Sequence, residues 1–172
     1  GSYAWTVPDA IGTQLRVRVT DASDASVTDT SDANFTVKGS VTLTAPNGGE
    51  AWVAGATQNI AWTRTGSFAN VKLEYSTNAF ADETQTVTLI ASTAADPAPA
   101  DNAGSYGWLI PDAISASIKV RITNTSDTTV QDRSDTNFKI VGSFNLTAPD
   151  GGEIQVVGTP QTITWTKVGS IA

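Results

Sequence analysis

The chain has 172 residues, with 17 Asp and Glu against 10 Lys and Arg, a formal net charge of −7, and no His, Cys or Met. That balance offers no dominant basic surface of the kind phosphate backbones require, which argues against nucleic acid as a partner. It also withholds the commonest general base, the thiol nucleophile, thiolate zinc ligands and any disulfide, so the chain reads as a non-enzyme.

The elements, taken in chain order, repeat themselves. The opening Gly1-Ser2-Tyr3-Ala4-Trp5 returns 103 residues later as Gly104-Ser105-Tyr106-Gly107-Trp108. At the same spacing Leu43-Thr44-Ala45-Pro46-Asn47-Gly48-Gly49-Glu50 returns as Leu146-Thr147-Ala148-Pro149-Asp150-Gly151-Gly152-Glu153. Trp62 returns as Trp165, and Gly66-Ser67 as Gly169-Ser170. A shared offset without a gap predicts a tandem array. Residues 39–141 form one complete unit, 1–38 match the C-terminal part of a preceding repeat, and 142–172 match the N-terminal part of a following one.

Within the complete unit, Val41-Thr42-Leu43-Thr44-Ala45 alternates apolar and polar residues, as a strand with one buried face should. Ile60–Thr63, Val71–Tyr75, Val87–Leu89, Tyr106–Trp108, Ile118–Ile122 and Phe138–Ile140 follow the same pattern. Turn signals such as Pro46-Asn47-Gly48-Gly49, Arg64-Thr65-Gly66-Ser67 and Pro111-Asp112 separate them. The expectation is all-β: tandem immunoglobulin- or fibronectin-like β-sandwiches of about seven strands. Only Gly-Ser separates the last strand pattern of one unit from the first of the next, at Gly39-Ser40 and Gly142-Ser143. A flexible linker would be longer and more polar, so the joints predict a semi-rigid rod with roughly 35–45 Å of length per unit.

The run Pro46-Asn47-Gly48-Gly49-Glu50-x-Trp52-x-x-Gly55, then Ile60-x-Trp62, resembles the opening of Kre9/Knh1-type, Ser-Thr-rich cell-wall domains. So does Gly104-Ser105-Tyr106-x-Trp108-x-x-Pro111, followed by Ile118-x-Val120-x-Ile122. The resemblance covers essentially the whole unit. It implies an extracellular immunoglobulin-like sandwich of large bacterial surface and secreted proteins, and it carries over no catalytic residue. The following copy departs from the motif, with Gln155 at the position of Trp52.

Candidate sites are few. Asp24, Asp29 and Asp32 recur as Asp127, Asp132 and Asp135. Acidic loops between sandwich strands can supply oxygen ligands to calcium, and short Asp and Ser side chains also cap turns without any metal. Apart from that calcium, no cofactor is expected. Aromatics at alternating positions fill the gap between sheets or, if exposed on one face, stack on carbohydrate. Trp52 is the candidate ligand-binding residue, because its replacement by Gln155 predicts a partly exposed position. Glu50 and Glu153 recur without an acidic partner nearby, which suits a turn or strand-start role better than glycoside hydrolysis. Asn34, Asn124 and Asn145 each open an Asn-x-Ser/Thr sequon. Lys38 and Arg16 are replaced by Val141 and Lys119, which argues against an intramolecular lysine crosslink. The sequence reading is therefore a structural module forming a rod, fibre or filament at the cell surface. Its expected partners are neighbouring repeats or further copies of itself, with no membrane span. The alternative is an adhesin or cell-wall carbohydrate-binding module.

Overall fold

A computed structural model describes residues 1–98 and 101–171; Pro99 and Ala100 of the 39–141 segment and Ala172 of the last segment lie outside it. The chain is all-β. Four short strands precede the central segment: β1 (Gly12–Leu15), β2 (Arg18–Thr20), β3 (Thr28–Thr30) and β4 (Phe35–Val37). The central segment holds β5 (Ser40–Ala45), β6 (Ala51–Val53), β7 (Thr57–Thr65), β8 (Asn70–Ser76), β9 (Thr86–Ala94), β10 (Ala103–Leu109), β11 (Ser115–Asn124), β12 (Gln131–Arg133) and β13 (Phe138–Val141). β14 (Ser143–Ala148) and β15 (Thr164–Val168) follow.

All seven expected strands of the central segment are present, and β6 and β12 are additional. Both are three residues long, too short for alternation to reveal them. Each exists because a distant partner supplies its ladder. β6 runs parallel to β13, with Trp52 opposite Ile140, and β12 pairs antiparallel with β11, with Asp132 opposite Ile122.

Two sheets face each other across the core. One has the order β10-β7-β5; in the other, β6-β13-β11-β8-β9 lie side by side and β12 adds to β11. Alternation along β11 buries Ile118, Val120 and Ile122 completely, while Lys119 and Arg121 point outward between them. Leu43, Ile60 and Trp62 meet them from the first sheet, with Val71, Leu73 and Phe138 closing the core. The indole N–H of Trp62 donates to the Ala95 carbonyl at 2.8 Å, so even its polar edge is satisfied.

A buried hydroxyl ties the first strand's exit to the far edge. The Val120 N–H donates to Ser134 Oγ at 3.0 Å, and Ser134 Oγ donates in turn to the Pro46 carbonyl at 2.8 Å. Ser134→Ala would leave both backbone groups unpaired in the interior. It is expected to cost about 1–3 kcal/mol in urea denaturation, and a loss below about 0.5 kcal/mol would mean that other groups satisfy them.

On the outer face, Arg121 gathers acids from two elements. It contacts Glu74 of β8 at 2.9 Å and makes a bidentate pair with Glu83, whose oxygens lie 2.8 and 3.0 Å away. Glu83 opens the short 3₁₀ turn Glu83–Gln85. Its carboxyl is pulled down to about 2, first by the Arg121 hydrogen bonds, then by Thr86, with further attraction from Arg121 and Arg133. Because the folded value lies below the ordinary 4.5, the stabilisation from Glu83 is complete above that pH and is lost as pH falls towards 2. Denaturation midpoints of the native chain and Glu83→Gln should therefore differ at neutral pH and converge in acid. A gap that stays constant with pH would refute the linkage.

The flanking segments carry the same strand pairings in part. β1 pairs with β4, β2 with β3, and β14 with β15, all antiparallel. Their apolar faces are uncovered. Tyr3, Trp5, Val17 and Val19 are exposed where Tyr106, Trp108, Val120 and Ile122 occupy the matching repeat positions. Phe144, Leu146 and Trp165 line an open groove of about 450 Å³.

Candidate functional site

Trp52 does not form a surface platform. It is only 9% exposed, with its ring 5.9 Å from Trp108 and 5.1 Å from Phe138 between centroids. This corrects the expected exposure. β6 lies beside β13, with Trp52 opposite Ile140, and directs the indole into the sandwich.

The acidic residues disperse to separate tasks. Asp24 Oδ1 accepts from the Ser26 N–H and hydroxyl at 2.9 and 2.6 Å, and Asp127 Oδ1 does the same for Thr129 at 3.0 and 2.6 Å. These bonds hold both carboxyls below the ordinary aspartate value, with the hydroxyl the largest cause in each case. Asp132 Oδ2 accepts from the Leu43 N–H at 2.7 Å, stitching β12 to β5. Asp135 accepts from the Asn47 amide at 2.7 Å and returns its own N–H to Asn47 Oδ1 at 2.9 Å. Asp29 lies in β3 opposite Val19, and Asp32 follows in an exposed bend. Among the described residues no three acidic side chains converge to hold a metal ion. The calcium reading thus gains no cage: Asp24 and Asp127 cap their own turns, while Asp132 and Asp135 reach Leu43 and Asn47.

Glu50 is likewise engaged with backbone. Its two oxygens accept from the Asn47 and Gly48 N–H groups at 2.9 and 2.8 Å, and Glu153 repeats this on Asp150 and Gly151 at 2.8 Å each. The Gly49 N–H reaches the Asn137 carbonyl at 3.0 Å, and the Lys139 N–H reaches the Glu50 carbonyl at 2.9 Å. The Pro-Asn-Gly-Gly-Glu turn is a clasp between the two ends of the central segment. Of the sequons, Asn124 is buried, with its side-chain oxygen accepting from the Ser126 N–H. Asn34 is exposed and accepts from Arg16 Nε, and Asn145 is exposed in β14.

The short joints singled out in the sequence are closely packed. β4 ends at Val37 and β5 begins at Ser40, while β13 ends at Val141 and β14 begins at Ser143. A side chain at Gly39 would meet the Thr65 carbonyl oxygen at 2.7 Å, and one at Gly142 would meet that of Val168 at 2.6 Å. Both joints thus press their connector against the β7 or β15 end of the following segment. At the first joint Lys38 Nζ donates to Thr129 Oγ1 at 2.5 Å and lies 3.6 Å from Asp127. A cleft of about 660 Å³ runs along this joint, bordered by Ile11, Thr13, Phe68 and Asn124.

These observations define the class as an all-β, sandwich-like protein whose distinctive surface lies at the joints between segments. Neither the comparison with protein-family models nor that with curated proteins gave a match. Among the described residues no helix is long and apolar enough to cross a membrane.

Proposed function

We propose that this chain is a structural module of a tandem array, acting as a semi-rigid spacer or fibre segment at or outside a cell surface. The observation that carries the reading is the close-packed connector, found at both joints 103 residues apart. A connector with no slack transmits orientation from one unit to the next, whereas a flexible linker would let units move independently. The sequences of residues 1–38 and 142–172 fit the same reading, since they carry repeat positions that form the core in residues 39–141. Polar, Thr-rich outer faces and the net negative charge oppose edge-to-edge aggregation.

Small-angle scattering and size-exclusion chromatography over a concentration series test the proposal. The expected particle is elongated, with each complete unit adding about 35–45 Å along one axis. A distribution of shapes that requires freely reorienting segments would overturn it.

A further inference from the structure

We propose that the Pro-Asp loop of one unit and the Gly-Ser turn of the next form a specific interface, a carboxylate latch closed once per joint. This latch would relate successive copies of the repeat by one fixed rotation and translation. The inference rests on the rod reading above and adds the residues that set its geometry.

The same construction occurs twice. At the first joint Asp9 Oδ1 accepts from the Ser67 N–H at 3.0 Å, and Asp9 Oδ2 accepts from the Ser67 hydroxyl at 2.5 Å. At the second, Asp112 Oδ1 accepts from the Ser170 N–H at 2.8 Å, and Asp112 Oδ2 accepts from the Ser170 hydroxyl. Every member is displaced by the repeat length of 103 residues. Each Asp sits in a tight turn, closed by Ala10 N–H to Pro8 O at 2.8 Å and by Ala113 N–H to Pro111 O at 2.9 Å. The Ser presents both donors on one side because the preceding glycine is left-handed, with φ of 88° at Gly66 and 84° at Gly169.

The apolar part of the joint repeats as well. A Cβ on Gly66 would stand 3.0 Å from Ile11 Cδ1, and one on Gly169 would stand 3.2 Å from Ile114 Cδ1. The isoleucine of one unit therefore closes over the bare glycine of the next, beside the two-oxygen latch.

Two surface hydrogen bonds would be weak between separate molecules. Here the short connector already holds the partners together, so closing the latch costs little further ordering. Asp9 and Asp112 are both held below the ordinary aspartate value, the serine hydroxyl being the largest cause and the serine N–H the next; Arg64 adds attraction at Asp9. Lys38 is not part of the repeated device, since Val141 replaces it at the second joint. Because both joints share one geometry, repeated application generates a regular helical rod rather than a string of independent beads.

The absence of cysteine permits unambiguous spin labelling at two introduced cysteines, Thr28→Cys in the first segment and Ser92→Cys in the central one. The doubly labelled 1–172 chain should give a single narrow distance distribution. Asp9→Ala should abolish that narrow peak while residues 39–141 keep a cooperative melting transition, because the buried core of that segment is built without Asp9. In parallel, the Ser67 amide resonance should follow a titration with a midpoint below that of an ordinary aspartate, and Asp9→Asn should remove it. A narrow distribution that survives Asp9→Ala, or a Ser67 amide indifferent to Asp9, would overturn the latch and leave the rod standing. A broad distribution in the unsubstituted chain would overturn both.

Discussion

Replacing Trp108 by alanine is expected to remove about 3–5 kcal/mol from the stability of the central segment. The ring is 4% exposed and lies 5.0 Å from Tyr75, 5.9 Å from Trp52 and 6.4 Å from Phe138, centroid to centroid. Truncation would thus empty a site bordered by three other aromatics. Rings of this size cannot slide together to fill the void without leaving their own rotamers, so the cavity persists and the cost falls in the upper part of that range. Against a total of roughly 5–15 kcal/mol for a domain of this kind, the variant would be marginal. Trp108→Phe keeps most of the ring contacts and should retain a measurable cooperative transition. The informative contrast is Trp5→Ala. Trp5 occupies the same repeat position but is 48% exposed, with Phe35 as its aromatic neighbour at 6.1 Å. Its replacement should cost less than about 1 kcal/mol by urea denaturation followed by circular dichroism. Equal losses at the two positions would show that the flanking segment is covered in solution and that the exposed face is not what the chain presents.

The second large effect is expected at Arg121. Its side chain is 12% exposed, that of Glu74 beside it is 6% exposed, and the guanidinium also sits 4.7 Å over the Phe80 ring. Arg121→Ala removes the main countercharge of a carboxylate that remains buried. Lys72 stays within 2.5 Å of the other Glu74 oxygen, which keeps the loss near the lower end of the 3–5 kcal/mol typical of a broken buried pair, at about 3 kcal/mol. The same change frees Glu83, so the turn between β8 and β9 should also lose protection from hydrogen exchange. If the cost arises from a stranded charge, the double variant Glu74→Met with Arg121→Met should be more stable than Arg121→Ala alone. A double variant no better than the single one would shift the explanation to lost packing against Phe80.

Much of the architecture was legible in the residues. The strands around Val41–Ala45, Ile60–Thr63 and Ile118–Ile122 announce themselves because burying one face of a pleated strand demands alternation every second residue. The roles of Asp24 and Asp127 as turn caps were within reach too, since each partner lies only two residues away. The tasks of Asp132 and Asp135 were not, since their partners lie 89 and 88 residues distant. Trp52 misled for a related reason. Its inward aim depends on β13, a strand far along the chain whose Ile140 lies opposite it. The Pro111-Asp112 and Gly66-Ser67 pairs were visible as turns, but nothing in the sequence linked one kind of turn to the other.

By itself the sequence determined the features that are local or repeated: strand period, turn positions and the 103-residue spacing. Each follows from forces acting over a few residues, or from identity between copies. Only the tertiary structure decided which strand lies beside which, where Trp52 points, and that Asp9 and Asp112 meet serines 58 residues further on. Those outcomes depend on how two sheets close over a shared core and how the chain passes from one segment to the next. Such long-range packing aligns groups that no local pattern places together.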